Sequence, residues 1–279
     1  MTDPTENLDP DALRRFGEEV DFGRTGTDYA THRAGFPPAF FDLLLQRGWA
    51  VPGQSAVDIG CGTGTVARGL AARGLDVTGI DPAQPLLDEA RRLDHAADVH
   101  VTYRTGTAEA TGLVSGMADL VTAGQCWHWF DRAAAAAEVA RLLHPGGRAV
   151  IAHFDWLPLQ GNVVAATEAL ILDHNPRWAG AGGTGLYPAW LTDLADAGFT
   201  ALETVSFDIA QPYTHGAWRG RIRASAGVAA SLDAEATLRF DEKLAALLSR
   251  DFPQDPLQVP HRVWLATGIL SAGADGQTP

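Results

Sequence analysis

One stretch decides the fold, Val57-Asp58-Ile59-Gly60-Cys61-Gly62-Thr63-Gly64. Its apolar start predicts a buried strand, and the glycines that follow predict a tight turn that opens directly into a helix. Glycines let the backbone pass close to a bulky ligand, and a helix N-terminus offers unpaired N–H groups to the ligand's polar part. The stretch therefore predicts the first strand, turn and helix of an open α/β sheet, with a ligand at the turn.

The glycine spacing differs from that of a dinucleotide-binding turn. The pattern G-x-G-x-x-G requires a third glycine where this chain has Thr65, and Gly64 falls one residue early. Asp58, two residues before the first glycine, would repel a pyrophosphate but would attract an ammonium group. Both features disfavour an NAD-dependent oxidoreductase, although this alternative stays open.

Strands and helices alternate regularly around this turn. Strands are predicted at 55–59, 75–80, 99–104, 118–123, 147–154, 200–209 and 261–267, and helices at 64–73, 83–93 and 131–143, with one more entered through Pro37 and Pro38. Apolar strands that alternate with helices predict a doubly wound, mostly parallel sheet covered on both faces.

The chain divides into a short arm and one long domain. Residues 1–27 are polar and glycine-rich, which predicts a flexible N-terminal arm or lid, with a frayed terminus as the alternative. Residues 28–279 are predicted to form a single domain with cap insertions at about 155–187 and 210–250. Helices predicted at 162–173, 188–197, 214–230 and 233–250, and a glycine-rich loop at 179–185, belong to this later half.

Composition excludes several classes of function. The chain has 279 residues, of which 46% are hydrophobic and 20% charged, and its formal charge is −13. No chain-wide positive field exists to attract nucleic acid or an anionic membrane, so neither is an expected partner. Cys61 and Cys126 fit neither a disulfide framework nor a zinc spacing, so we expect no metal and a reducing, cytoplasmic location. No targeting segment or membrane span is predicted.

Three further strand ends carry polar residues. Asp81 ends the second strand, where a carboxylate can accept both hydroxyls of a ribose, or alternatively can cap the helix after Pro82. The third strand leads to Gly106-Thr107-Ala108-Glu109, and the fourth to Gln125-Cys126-Trp127-His128-Trp129-Phe130-Asp131. Open parallel sheets bind ligands at these ends.

Together these residues resemble the class I S-adenosylmethionine-dependent methyltransferases, and in particular the methyltransferase type 11 group. The resemblance rests on the segment from Tyr29 to Pro37, on residues 57–64 with Asp81, on His128-Trp129-Phe130-Asp131, and on the turn from Leu142 to Gly147. It implies a Rossmann-like, seven-stranded mixed sheet whose last strand is antiparallel, with a helical cap. It also implies S-adenosyl-L-methionine as cofactor and S-adenosyl-L-homocysteine as product.

The resemblance implies roles for individual positions. The methionine end of the cofactor would meet Asp58, Gly60 and Gln125, with Arg33 paired to its carboxylate, and Asp81 would take the ribose. Thr107 stands where many relatives carry an aspartate. The complete set implied to bind the cofactor is Arg33, Asp58, Gly60, Gly62, Gly64, Asp81, Pro82, Thr107, Ala108, Glu109 and Gln125.

Methyl transfer requires chiefly that the acceptor be aligned behind an already activated methyl group. A general base adds to the rate, and His128 and His153 are the candidates because each lies near the C-terminal end of a predicted parallel strand. We expect His128 to matter more, because tryptophans flank it; the alternative is that it only shapes the pocket. The candidate substrate-binding residues are aromatic: Tyr29, Trp127, Trp156, Trp178, Tyr187 and Tyr213.

The sequence therefore predicts S-adenosylmethionine-dependent O-, N- or C-methylation of a small-molecule acceptor. A secondary metabolite or a carboxylate is compatible with the aromatic and arginine content of the later half. The alternative is a protein that binds the cofactor without transferring its methyl group, either a sensor or an enzyme that uses the sulfonium only electrostatically. The acceptor and the oligomeric state are not determined by the sequence.

Overall fold

A computed structural model describes residues 35–271, except 226, 229 and 230. The predicted arm at 1–27 and the candidates Tyr29 and Arg33 lie outside the described residues. A seven-stranded sheet forms the centre, in the order β3-β2-β1-β4-β5-β7-β6. Its strands are β1 Ser55–Ile59, β2 Asp76–Asp81, β3 Thr102–Thr105, β4 Ala118–Gly124, β5 Leu143–Trp156, β6 Phe199–Tyr213 and β7 Leu257–Leu270.

The sheet is mixed, and its last strand runs against the others. Strands β1 to β5 pair in parallel, whereas β7 is antiparallel to both β5 and β6. This confirms the predicted Rossmann-like sheet. Because β1, β2 and β4 are in register, with Asp58 opposite Gly79 and Thr122, their C-terminal ends meet at one edge.

Helices cover both faces of the sheet. Apolar residues of α1 Pro38–Gln46, α2 Thr65–Ala71 and α3 Gln84–Ala96 pack on one face. On the other face lie α4 Arg132–Leu142 and α6 Ala189–Asp196, which bury Val139 and Trp190 among others. Across the described residues, no helix is both long and apolar enough to cross a bilayer.

Several element boundaries differ from the prediction. Strand β3 starts at Thr102 rather than 99, because the Val99 N–H closes the end of α3 by bonding the Asp94 carbonyl. Strand β5 starts at Leu143, which pairs with Ala118 across a register shift. The helix predicted at 214–230 ends at 223, where the Ser225 hydroxyl and N–H both bond the Ile222 carbonyl and replace the helical pattern.

A second helical layer lies beyond the C-terminal end of β5. Helices α5 Val163–His174, α7 His215–Arg223 and α8 Ala234–Asp251 share an apolar cluster that contains Trp218 and Phe240. Strands β6 and β7 extend past Trp156 and remain paired up to Tyr213 and Leu257. The pair therefore carries α7 and α8 out beyond the sheet edge where β1, β2 and β4 end. That this layer caps a substrate pocket stays a prediction.

His261 makes the stability of this region sensitive to acid. Its ring is 3% exposed, packs against Phe154 and Tyr213, and has Nδ1 3.0 Å from the Val259 carbonyl. Burial lowers its pKa from 6.5 to about 4. Between these values the unfolded chain binds the extra proton, so the free energy of unfolding falls as the pH drops through this window.

We expect His261 to remove about 2–3 kcal/mol of stability between pH 7.5 and 4.5. Urea unfolding of wild-type and His261→Phe protein at both pH values measures this loss. The variant keeps a flat buried ring without the titration, so wild-type stability should fall further in acid than the variant's. Equal losses in the two proteins would contradict the prediction.

Candidate active site

The three glycines of the first turn serve different purposes. All have positive φ, +62° at Gly60, +54° at Gly62 and +77° at Gly64. A Cβ at Gly60 would lie 2.7 Å from Phe130, and one at Gly64 would collide with the Tyr103 hydroxyl, whereas one at Gly62 would meet nothing within 4 Å. Gly60 and Gly64 therefore permit close packing, and Gly62 is the glycine that faces open space.

Asp81 ties the end of β2 to this turn. One carboxylate oxygen accepts the Gly62 N–H at 2.8 Å, and the other accepts the Ala83 N–H at 2.9 Å. The side chain is buried, which raises its pKa despite these two hydrogen bonds. Each oxygen keeps a second lone pair, so the carboxylate retains capacity for further donors. Pro82, beside it, is exposed.

Asp58 lies beneath the turn and is 1% exposed. Its carboxylate accepts the Thr122 hydroxyl at 2.7 Å and the Ala67 N–H at 3.1 Å, so it joins β1 to β4 and to the start of α2. Burial raises the pKa of Asp58 to about 7, against the effect of those hydrogen bonds. Its predicted contact with the methionine end of a cofactor stays a prediction.

Asp81→Ala is expected to weaken S-adenosylmethionine binding by about 1.5–3 kcal/mol, the value of a charged hydrogen bond. Calorimetry measures the loss. Asp81→Asn removes the negative charge but can keep one hydrogen bond to the turn, because the amide oxygen can still accept the Gly62 N–H. We expect the asparagine variant to bind more tightly than the alanine variant and more weakly than wild type. Unchanged affinity in a folded alanine variant would remove Asp81 from the site.

The loop after β3 meets the segment after β4. Glu109 accepts the Asp131 N–H at 3.0 Å, and Asp131 in turn caps α4 by accepting the Ala134 N–H. Ala108 is buried, whereas Thr107 and Glu109 are partly exposed. These contacts bring two of the predicted cofactor segments together, and the roles of 107–109 toward the adenine stay predictions.

Gln125 occupies the end of β4 with a positive φ of +68°, which is unusual for a residue other than glycine. Its backbone N–H donates to the Ala152 carbonyl and its amide to the Phe154 carbonyl at 2.8 Å. Its Oε1 is buried and has no hydrogen-bond partner among the described residues. A buried acceptor without a donor is a place where a ligand donor can bind.

A polar cluster lies at the end of β5. His153 is 7% exposed, and its Nδ1 lies 2.8 Å from an Asp155 oxygen, while the Tyr187 hydroxyl donates to the other oxygen. The rings of His128 and His153 are 5.2 Å apart, and Tyr187 stacks on Trp190 at 4.2 Å. The structure thus brings both predicted histidines together and adds Asp155 and Trp190, which were not among the predicted site residues.

The predicted aromatic residues separate into two groups. Trp127 is fully buried in the sheet's core and its indole donates to Asp193 at 2.9 Å. Trp156, Trp178 and Tyr213 pack with the second helical layer. Trp156 donates to Glu168, with the Arg221 guanidinium 4.7 Å above its ring. Among the contacts described, Tyr187 is the one candidate that contacts the pair His128 and His153. Substrate binding by any of these aromatic residues stays a prediction.

Residues 57–151 match the family model of the methyltransferase domain. This segment of the chain is similar to a methyltransferase domain. An uncharacterized methyltransferase of Mycobacterium tuberculosis is 39% identical over 129 residues, 46% of this chain and 50% of that protein. The chain thus spans about half the length of the curated relatives it matches.

Solved structures share the fold over more of the chain. A candidate type II methyltransferase from Anaeromyxobacter dehalogenans has a TM-score of 0.62 at 25% identity, with 86% of this chain and 99% of that one covered. Phosphoethanolamine N-methyltransferase 2 of Haemonchus contortus, in complex with phosphomonomethylethanolamine and S-adenosylhomocysteine, has a TM-score of 0.52 at 19% identity. The latter alignment covers 94% of this chain and 59% of the other.

Proposed function

We propose that this chain transfers the methyl group of S-adenosylmethionine to a small-molecule acceptor. The observation that carries the proposal is the glycine turn of the methyltransferase domain, where the space beyond Gly62 is open and the Asp81 carboxylate lies directly beside it. A phosphoethanolamine N-methyltransferase that holds a small substrate and S-adenosylhomocysteine shares this fold.

The residues at the turn suit the cofactor's chemistry. The buried Gln125 Oε1 is an acceptor without a protein donor among the described residues, and an ammonium group supplies one. Asp81 has lone pairs left for the ribose hydroxyls. Glycine at position 62 leaves room for a bulky group beside the backbone.

Electrostatics favour a cationic cofactor over a phosphorylated one. Asp58 and Asp81 are both buried, and the hydrogen bonds described for them come from neutral hydroxyl or backbone donors. Their raised pKa values reflect the cost of burying charge there. A sulfonium or ammonium group lowers that cost, whereas a pyrophosphate would increase it.

In this proposal the protein's own side chains align the acceptor and take up its proton. S-adenosylmethionine supplies an activated methyl group when bound. Alignment of the acceptor by the surrounding side chains can supply roughly 7–11 kcal/mol of the barrier. The pair His128 and His153, at the ends of β4 and β5, stands where an acceptor proton can be taken up, which adds about 10²–10⁴-fold.

The test is to incubate the protein with cell extract and cofactor bearing a deuterated methyl group, and to search by mass spectrometry for labelled products. We expect small molecules that carry one labelled methyl group and that are absent with the Gly62→Val variant. Tight cofactor binding without any labelled product would instead support a binding protein or an enzyme that uses the sulfonium only electrostatically. Stabilisation by NAD and not by S-adenosylmethionine would overturn the proposal.

A further inference from the structure

The hydrogen bonds around His153 determine which ring nitrogen carries its proton. Asp155 is held as an ionised carboxylate: burial raises its pKa, but the charge and hydrogen bond of His153 and the Tyr187 hydroxyl together lower it to about 2. An ionised carboxylate only accepts hydrogen bonds. His153 Nδ1, 2.8 Å away, is therefore the protonated nitrogen.

The opposite nitrogen of the same ring is left as an acceptor. His153 Nε2 is buried and has no hydrogen-bond partner within the part of the chain that the structure describes. Native proteins rarely leave a buried polar atom unsatisfied unless it serves a function or binds a ligand. With Nδ1 protonated, Nε2 carries the lone pair and can accept a proton.

The surroundings of His153 come from four elements. Tyr187 and Trp190 flank the ring at 4.8 and 5.8 Å between centroids, and His128 approaches from the turn after β4 at 5.2 Å. The titratable groups that face it are Asp155 on its own strand, Tyr187 before α6 and His128. Aromatic walls exclude water, which keeps a proton transfer within the site.

We propose that Asp155 and Tyr187 are positioning residues that hold His153 with Nε2 as the proton acceptor. It follows that the small molecule carries a proton on the atom to be methylated, as a hydroxyl or an acidic carbon does. This inference rests on the proposed methyl transfer. A carboxylate or a tertiary amine needs no such base.

The step balances without any further reactant. His153 Nε2 takes the proton from the acceptor, and the electron pair of that O–H or C–H bond forms the new bond to the methyl carbon. The bond between this carbon and sulfur breaks, and its electron pair stays on sulfur. The products are the methylated acceptor, S-adenosylhomocysteine and a protonated His153, which then releases its proton to solvent.

The test uses Asp155→Asn in the full chain, with the acceptor found in the labelled extract. We expect kcat to fall by at least about 100-fold, the affinity for S-adenosylmethionine to change less than threefold, and the pH limb of kcat to shift. Tyr187→Phe removes one hydrogen bond to the carboxylate and should lower kcat by about threefold to tenfold. Unchanged kcat and pH profile in the asparagine variant would overturn the proposal.

The control is a second histidine–aspartate pair at the opposite edge of the sheet. His144 Nε2 lies 2.9 Å from Asp119 near the starts of β4 and β5, so Asp119→Asn should leave kcat and its pH profile as in wild type. Nitrogen-15 NMR of the His153 ring gives a readout without turnover: we expect a proton on Nδ1 and none on Nε2 at high pH, and a changed ratio in Asp155→Asn. A proton fixed on Nε2 at high pH would overturn the assignment.

The position of the labelled methyl group in the product tests the substrate class separately from methyl transfer itself. A methyl ether or a C-methyl product supports the assignment, whereas a methyl ester or a quaternary ammonium product overturns it and leaves methyl transfer intact. If wild-type protein gives no labelled product, the proposed function and this substrate class are both overturned. The NMR measurement still decides whether Asp155 holds the ring.

Discussion

His153→Asn is expected to lower kcat by about 10²–10⁴-fold while cofactor affinity stays nearly unchanged. The imidazole is the group that takes up the acceptor's proton in the proposed step, and the asparagine amide cannot do so near neutral pH. The limb of the pH profile that reports the imidazole should disappear. Steady-state kinetics across pH 5–9, with calorimetry of cofactor binding, measure both effects.

The same measurements on His128→Asn and His144→Asn rank the histidines. His128 lies 5.2 Å from His153, and we expect its replacement to cost less, because Asp155 contacts the His153 ring directly through Nδ1. His144, on the far edge, should have no effect on kcat. A double variant of His128 and His153 that keeps more than about a tenth of wild-type turnover would leave alignment as the source of rate.

Gly62→Val is expected to reduce S-adenosylmethionine binding by at least about 100-fold, because a branched side chain would fill the open space that the cofactor needs. The variant also forces valine into a positive φ of +54°, which costs about 1–3 kcal/mol of stability. Calorimetry gives the affinity, and circular dichroism confirms that the domain is folded.

Gly48→Val separates the two effects. Gly48 has a φ of +64° and nothing within 4 Å of a Cβ, but its neighbours Arg47 and Trp49 contact Glu203 and Arg148 near the starts of β6 and β5, away from the turn. It therefore carries the same backbone strain without entering the proposed site, and its cofactor affinity should match that of wild type. Normal binding by Gly62→Val would show that the open space does not receive the cofactor.

The sequence predicted the elements that depend on local pattern. Glycine spacing and apolar runs located β1, the turn and β2, and the rule that parallel strands end at one edge correctly brought His128 and His153 together. The roles of individual glycines were beyond it, because the contacts that confine Gly60 and Gly64 come from Phe130 and Tyr103, far along the chain.

The sequence contained the information needed to pair His153 with Asp155, but not the information needed to add Tyr187. Residues 153 and 155 lie two apart on one strand, so their side chains share a face, and this spacing alone could have paired them. The sequence instead favoured His128 because of its neighbouring tryptophans. Tyr187 comes from a loop 32 residues later, and neither its bond to Asp155 nor the positive φ of Gln125 follows from any local pattern.

The extension of β6 and β7 beyond β5 has a consequence for how this molecule can change over evolution. Tyr213 and Leu257 lie opposite each other in the β6–β7 pair, so the 43 residues between them leave and re-enter the sheet at a single point. Such a segment can be exchanged or lengthened while the strands on either side stay paired, as long as it still covers the apolar residues of α5. The geometry thus separates a segment whose length and sequence can vary from the strands and the turn that form the sheet's other end.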